Sequence, residues 1–161
     1  MAKAGSASSA GSTGSASSAA SAASAAPADV VARFVRAWEA ADVAALVDLL
    51  TEDVFMAMPP MPFEYHGRAA VGRLSAALFD AGRRFDLVPT RANRQPAFGA
   101  YLRAATGLRP GVGLYVLTLD GGRIGALTRF ESGLLPRFGL PRSLRQTGRQ
   151  VDDARGSAGS T

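Results

Sequence analysis

Hydrophobic residues recur at three- and four-residue spacing in three stretches of the chain, which predicts three helices. The first helix begins at Asp29, which follows Pro27 and is a preferred N-cap residue. A short second helix follows Asp42, and a third runs from about Arg68 to Ala81, where Gly82 stops it. Each helix must bury its apolar stripe against another element of the fold. The apolar residues of the first two helices are Val31, Phe34, Val35, Trp38, Leu46, Val47, Leu49 and Leu50.

Alternating or continuous apolar residues predict five strands. The first covers residues 54–58, and the proline-rich segment 59–62 ends it before the turn at residues 65–67. The last two strands form a hairpin, because Asp120-Gly121-Gly122 supplies the positive-φ residues that a tight connection needs. The other predicted strands are Phe85 to Ala92, Ala97 to Arg103, Val112 to Leu119 and Arg123 to Phe130.

This order of elements predicts an α+β fold with about three helices. A curved antiparallel sheet wraps a long helix and encloses a conical pocket. The strand Val112 to Leu119 is apolar on both faces, so both faces must be covered. Helices cover one face only, so the other face needs a second subunit, a partner domain or a folded-back tail. A second copy of the chain, giving a homodimer, is the favoured cover, and the apolar segment 134–141 folding back is the alternative.

Composition divides the chain into three parts. Residues 1–28 are rich in Ala, Ser and Gly, and with the tail 146–161 they are predicted to be disordered, which leaves 29–145 as the folded domain. Serines interrupt every alanine run of the head, so it does not resemble a secretory signal. No apolar run reaches about 18 residues, so no membrane association is expected, and the cytoplasm is the expected location.

Charge and rare residues exclude several classes of function. The formal net charge is +5, yet residues 29–141 hold 13 Arg against 11 acidic residues, so no sequence-specific nucleic-acid binding is expected. The absence of cysteine excludes disulfides, thiolate nucleophiles and Cys-ligated zinc. A single histidine excludes a metal site that needs two imidazoles. We therefore expect neither a metal nor a cofactor.

Several segments resemble a known family. FVRAWEAADVAALVDLLTEDV and YHGRAAVGRL resemble the SnoaL-like branch of the nuclear transport factor 2-like superfamily. Four further segments, over about residues 29–145, resemble the SnoaL-like C-terminal domain of actinobacterial extracytoplasmic-function sigma factors. These segments are MAMPPMPFEYHGR, LVPTRANRQPAFGAYLR, GLYVLTLDGGRIGALTRF and LLPRFGLPRSL. One Lys against 17 Arg fits the GC-rich genome that such an origin implies.

The resemblance implies a regulatory domain that binds an apolar small molecule or a protein surface. Its expected partners are such a molecule, a second copy of the chain, or a sigma factor or polymerase component. The sigma DNA- and polymerase-binding domains are expected to be absent here, so their activities do not carry over. The alternative function is a stand-alone, cofactor-independent polyketide cyclase or ketosteroid-isomerase-like enzyme. A third possibility is a remnant without function.

Two residues are candidates for proton transfer in the enzyme alternative. His66 is the single imidazole and neighbours Glu64 and Tyr65, although its place before Gly67 also suits a turn or cap. Glu131 follows the last strand, where related enzymes carry an acid. Strand alternation that points Ile124, Ala126, Thr128 and Phe130 inward would instead turn Glu131 outward, into an ion pair with Arg129.

The candidate ligand-binding residues are polar groups at a pocket mouth and an adaptable apolar lining. Asn93 and Gln95 lie between two predicted strands, where they either orient a ligand or form a plain polar hairpin loop. Core packing is the alternative explanation for the apolar residues. The candidate lining residues are Met56, Met58, Met61, Phe63, Tyr65, Phe98 and Tyr101.

Overall fold

A computed structural model describes the backbone of residues 15–146 and the side chains of residues 27–146. The first half contains α1 (Ser15–Glu39), α2 (Val43–Asp48), β1 (Leu50–Ala57), β2 (Glu64–His66) and α3 (Arg68–Asp80). The second half contains β3 (Phe85–Ala92), β4 (Gln95–Leu102), β5 (Leu108–Asp120), β6 (Arg123–Phe130), a 3₁₀ helix (Ser132–Phe138) and β7 (Ser143–Arg145).

The strands form one curved sheet in the order β2-β1-β6-β5-β4-β3, and β7 pairs with β5. Strands β3 to β6 are sequential antiparallel neighbours, whereas β1 lies parallel to β6. The β5–β6 turn has positive φ at Gly121 and Gly122, as the sequence predicts. Helices α1, α2 and α3 lie on one face of the sheet, so the predicted α+β fold with a curved antiparallel sheet is confirmed.

An aromatic cluster fills much of the concave side, between the helices and the sheet. Trp38 of α1 lies at its centre, with ring centroids 5.6 Å from Phe34, 5.4 Å from Phe79 and 5.1 Å from Tyr115. Tyr115 and Leu117 are the β5 side chains that join this core. Large apolar area is therefore buried where α1 crosses the sheet, which fixes the helix on the concave face.

A second core lies on the convex face of the sheet. Leu114 and Val116 of β5 pack there. Leu135 and Leu140 of residues 134–142, here called the C-terminal segment, cover them. The Gly111 N–H also donates a hydrogen bond to this segment, at the Arg142 carbonyl oxygen 2.8 Å away. The segment that the sequence offered as the alternative cover thus occupies this face. The homodimer stays a prediction.

The structure corrects several element boundaries. Helix α1 begins at Ser15 rather than Asp29, because alanine has the highest helix propensity and the helix continues through Pro27 despite its missing N–H. Asp29 therefore lies inside the helix, 3.9 Å from the Arg33 guanidinium one turn later. Residues 1–14 and 147–161, parts of the predicted disordered ends, lie outside the described residues.

Long-range pairing explains the other differences. Leu50, assigned to the second helix, starts β1, where it pairs with Ile124 of β6. The predicted turn at residues 65–67 contains part of β2, a short edge strand paired with β1. Strand β5 begins at Leu108, earlier than predicted, because its first residues pair with the unpredicted β7. No helix within residues 15–146 is both long and apolar enough to cross a lipid bilayer.

Candidate ligand-binding site

A cavity of about 240 Å³ lies on the concave side, between α3, β1 and the sheet. Most of its wall is apolar, and its volume is below the range of roughly 300–1,000 Å³ that is usual for pockets of drug-sized ligands. A ligand of this cavity is therefore small. The lining residues are Trp38, Met56, Met58, Leu74, Ser75, Leu78, Arg83, Phe85, Leu102, Val112, Tyr115 and Arg129.

A β-bulge aims Arg129 at this cavity. Leu119 pairs with Ile124 and Thr118 pairs with Ala126, which leaves Gly125 as an extra residue on β6. The extra residue reverses the alternation, because strand side chains alternate with a period of two. The β6 side chains beyond the bulge thus face the opposite way from the prediction. Leu127 and Arg129 face the helices, whereas the convex side is faced by Ala126, Thr128 and Phe130.

The Arg129 side chain runs across β5. Its Nη2 donates to the Val112 carbonyl oxygen at 2.6 Å. A Cβ at Gly113 would lie 3.1 Å from Arg129 Nε and 2.8 Å from the Phe130 carbonyl oxygen. Glycine at this position therefore leaves room for the Arg129 side chain. Among residues 27–146, no carboxylate lies within ion-pair distance of this guanidinium.

Three further residues of the wall have polar side-chain groups: Tyr115, Trp38 and Ser75. Burial raises the pKa of Tyr115, and the charge of Arg129 and a hydrogen bond from it lower this pKa by less, so the hydroxyl stays protonated at neutral pH. Among residues 27–146, the buried Trp38 Nε1–H has no hydrogen-bond partner. The Ser75 hydroxyl donates to the Val71 carbonyl oxygen at 2.9 Å and leaves its own oxygen free to accept.

The described cavity wall contains no aspartate, glutamate or histidine. Proton abstraction next to a carbonyl group ordinarily needs a carboxylate or imidazole base within hydrogen-bond reach of the substrate. The wall instead offers donors to an acceptor group and apolar contacts to the rest of a ligand.

The two proton-transfer candidates lie elsewhere. His66 is exposed on the edge strand β2, with Nε2 at 3.7 Å from Glu64 Oε2 and its ring centroid 4.9 Å from that of Phe55. Glu131 is exposed and precedes the 3₁₀ helix. The Arg129–Glu131 ion pair is not formed, because the bulge turns Arg129 toward Val112 and the cavity.

The predicted apolar lining is divided among several environments. Met56 and Met58 line the cavity, and Tyr65 packs at the margin of the concave core. Phe63 is 51% exposed, and Met61 is also exposed. Both follow the proline pair that ends β1, outside the cavity.

The remaining candidates lie around the β3–β4 hairpin and on the convex face. Asn93 is exposed in the hairpin turn. Gln95 donates through Nε2 to Thr118 Oγ1 at 2.8 Å, and with Phe98 it borders an open groove of about 890 Å³ beside α1. Tyr101 is buried on the convex face, where its hydroxyl donates to the Pro141 carbonyl oxygen. These nine candidates therefore do not form one site.

Sequence reasoning missed the polar groups that do converge, namely Trp38, Ser75, Tyr115 and Arg129. One usable signal existed: Arg129 is a charged residue near the end of a largely apolar strand, beyond a glycine that permits a bulge. Trp38 and Tyr115 look like ordinary core residues in the sequence. Only the fold brings these residues to a common cavity.

The curved sheet, its covering helices and the internal cavity define a cone-shaped α+β domain. The chain belongs to the SnoaL-like domain family, whose model matches residues 31–133. It is 36% identical over 119 residues to the ECF RNA polymerase sigma factor SigG of Mycobacterium tuberculosis strain H37Rv. That match covers 72% of this chain and 32% of the sigma factor, so the chain spans about a third of its relative.

Solved structures share the fold. An NTF2-like protein of unknown function from Mesorhizobium loti aligns with a TM-score of 0.56 and 26% identity, over 67% of this chain and 92% of that protein. A candidate ketosteroid isomerase from Kribbella flavida DSM 17836 aligns with a TM-score of 0.54 and 19% identity, over 66% and 78%. The predicted SnoaL-like and NTF2-like resemblance is confirmed.

Proposed function

We propose that this SnoaL-like domain is a non-catalytic regulatory domain that binds a small molecule in the cavity beside Arg129. One observation carries the proposal: the cavity wall combines apolar side chains with the polar groups of Arg129 and Tyr115, and its described part has no carboxylate or imidazole. Such a wall holds a ligand by its acceptor group without supplying a base.

The similarity to SigG supports a regulatory role in transcription. In this proposal the domain acts with an extracytoplasmic-function sigma factor or another component associated with RNA polymerase. Ligand binding stabilises the concave side, where α1 and α3 meet the sheet, and so biases any conformational equilibrium that involves these helices.

The alternative enzyme, a cofactor-independent cyclase or isomerase, has weaker support. The structural likeness to the Kribbella flavida protein is a likeness of fold at 19% identity. His66 and Glu131, the proton carriers of that alternative, are exposed and outside the cavity wall. An enzyme would require another base to reach the cavity.

Native mass spectrometry of the purified chain tests the binding function. We expect a bound small molecule that leaves under denaturing conditions. Ser75→Leu places an apolar side chain into the cavity and should abolish the adduct. Ala77→Leu adds the same side chain at an exposed position of α3 and should retain it.

Two outcomes would reject the proposal. The first is an adduct that survives in Ser75→Leu at the level of Ala77→Leu, because the molecule would then bind elsewhere. The second is isomerisation of a β,γ-unsaturated ketosteroid, followed by ultraviolet absorbance, at a rate that Ser75→Leu removes and Ala77→Leu does not. That result would establish the enzyme instead.

A further inference from the structure

Positive charge accumulates at the cavity without a matching negative charge. Arg129 is partly buried in the wall and Arg83 is exposed at its edge, whereas no acidic side chain lines the described cavity. The other partly buried arginines behave differently: Arg68 pairs with Glu52 at 2.8 Å, and Arg109 pairs with Asp86. Within residues 27–146, the hydrogen-bond acceptors of Arg129 are neutral: the Val112 carbonyl oxygen and the Tyr115 hydroxyl oxygen.

The geometry around Arg129 adds a neutral hydroxyl at the same place. Tyr115 is its cross-strand partner, and the rings of Tyr115 and Trp38 lie 5.1 Å apart. Trp38 contributes its ring to the cavity wall, since its Nε1 atom is itself buried. The charge of Arg129, which no described carboxylate balances, and the adjacent Tyr115 hydroxyl thus point to a ligand that accepts hydrogen bonds and is negatively charged.

The rest of the wall restricts the ligand further. Met56, Met58, Leu74 and Leu78 supply apolar contact, and two of them are methionines that adapt to different shapes. A fully hydrated anion such as phosphate would lose hydration against these side chains without compensation. A ligand with a charged head and a compact apolar body matches both parts of the wall.

We propose that the cavity binds a small apolar monocarboxylic acid, with its carboxylate on the Arg129 guanidinium and its apolar body against the α3 and β1 side chains. This inference rests on the proposed ligand-binding function and names the ligand class. The Tyr115 hydroxyl contributes a neutral hydrogen bond. A charge-assisted pair with a guanidinium is stronger than a neutral hydrogen bond, so acids are selected over alcohols of the same shape.

Trp38 gives a direct readout, because it is the one tryptophan of the chain and lines the cavity. Its fluorescence is titrated with benzoate, phenylacetate, hexanoate and octanoate, each against the corresponding primary alcohol, and with inorganic phosphate. We expect at least one acid to change the fluorescence saturably, with an affinity at least about tenfold above that of its alcohol.

Two substitutions of Arg129, with a control substitution of Arg137, test whether the carboxylate binds at Arg129. Arg129→Gln should weaken binding of that acid by about tenfold or more, and Arg129→Lys should restore part of it. Arg137→Gln removes the same charge from an exposed position of the 3₁₀ helix and should leave the affinity unchanged. Circular dichroism shows whether each variant is folded, and the comparison of acids with alcohols needs no variant.

The outcomes separate this inference from the proposed function. If an alcohol binds as tightly as its acid, or phosphate binds as tightly as any acid, the ligand class is wrong while small-molecule binding stands. Equal acid affinity in folded Arg129→Gln and Arg137→Gln also overturns the inference. If no compound changes the fluorescence and native mass spectrometry finds no adduct, both proposals fail.

Discussion

The Tyr101 hydroxyl donates a hydrogen bond to the main-chain carbonyl oxygen of Pro141 across 2.7 Å. Tyr101 is fully buried on β4, and Pro141 belongs to the segment that follows the 3₁₀ helix. This contact joins residues 40 apart in sequence and ties the C-terminal segment to the convex face. The attachment of that segment can therefore be tested one group at a time.

Tyr101→Phe should lower the free energy of unfolding by about 1 kcal/mol, because it removes one buried hydrogen bond and keeps the ring. Urea denaturation followed by circular dichroism measures the change. Tyr65→Phe is the control, since the structure gives the Tyr65 hydroxyl no hydrogen bond among the described residues. Equal losses in the two variants would mean that the bond to Pro141 contributes nothing specific.

Gly111→Ala should destabilise the fold by about 1–3 kcal/mol through overpacking. A Cβ at Gly111 would press against Leu135 Cδ1 and lie 3.0 Å from the Arg142 carbonyl oxygen. Gly133→Ala is the matched control, because nothing lies within 4 Å of its Cβ position. Thermal or urea unfolding of the pair checks the result, and similar stabilities would show that the segment does not press on β5.

Leu135→Ala should cost about 2–5 kcal/mol, since Leu135 is fully buried between the 3₁₀ helix and the sheet. Leu108→Ala, at a position 46% exposed, should change the stability by about 0.5 kcal/mol or less. Urea unfolding curves compare the two.

Leu135→Ala also tests self-association of the chain. Because the C-terminal segment covers the convex face, loosening it with Leu135→Ala should increase self-association relative to the unaltered chain. Sedimentation equilibrium at micromolar concentration measures this difference. An unaltered chain that is already a stable homodimer, with no change in Leu135→Ala, would place the dimer interface on another surface.

Stability should fall at alkaline pH in a way that depends on Tyr115. Burial raises the pKa of Tyr115 above the ordinary value of 10.0, so above about pH 10 the unfolded chain releases this proton while the folded chain retains it. The contribution is fully present below pH 10 and is lost as the pH rises through the folded-state pKa. Urea unfolding at pH 9 and pH 11 measures the loss.

Tyr115→Phe should show a smaller loss between pH 9 and pH 11 than the unaltered chain, because phenylalanine does not ionise. Absorbance at 295 nm should show correspondingly less tyrosine ionisation at high pH in this variant. A variant with the same loss of stability as the unaltered chain would contradict the assignment to Tyr115.

Local patterns in the sequence predicted most of the secondary structure. Strands β3 and β6 have the predicted bounds, and α3 starts at Arg68 and stops before Gly82, whose φ is +77°. These features follow from side-chain periodicity and from turn residues a few positions apart. The family resemblance came from the same short segments.

The candidate site was harder to predict because it depends on pairing between distant residues. The bulge at Gly125 reversed the side chains from Ala126 to Phe130, and no local pattern marks which strand residue is left unpaired. The position of an acid in related enzymes makes Glu131 a catalytic candidate, and regular alternation turns Arg129 outward, whereas in the structure Arg129 lines the cavity and Glu131 does not.

Short segments that resemble known relatives were enough to indicate the family. The periodicity of apolar residues was enough to predict the α+β class and the need to cover both faces of β5, because it fixes which residues must be buried. The tertiary structure decided that Leu114 and Val116 meet the C-terminal segment while Tyr115 and Leu117 meet the helices. It also decided that Trp38, Tyr115 and Arg129 share a cavity. These relationships arise from strand register and long-range packing, in which one unpaired residue changes the face of every side chain that follows.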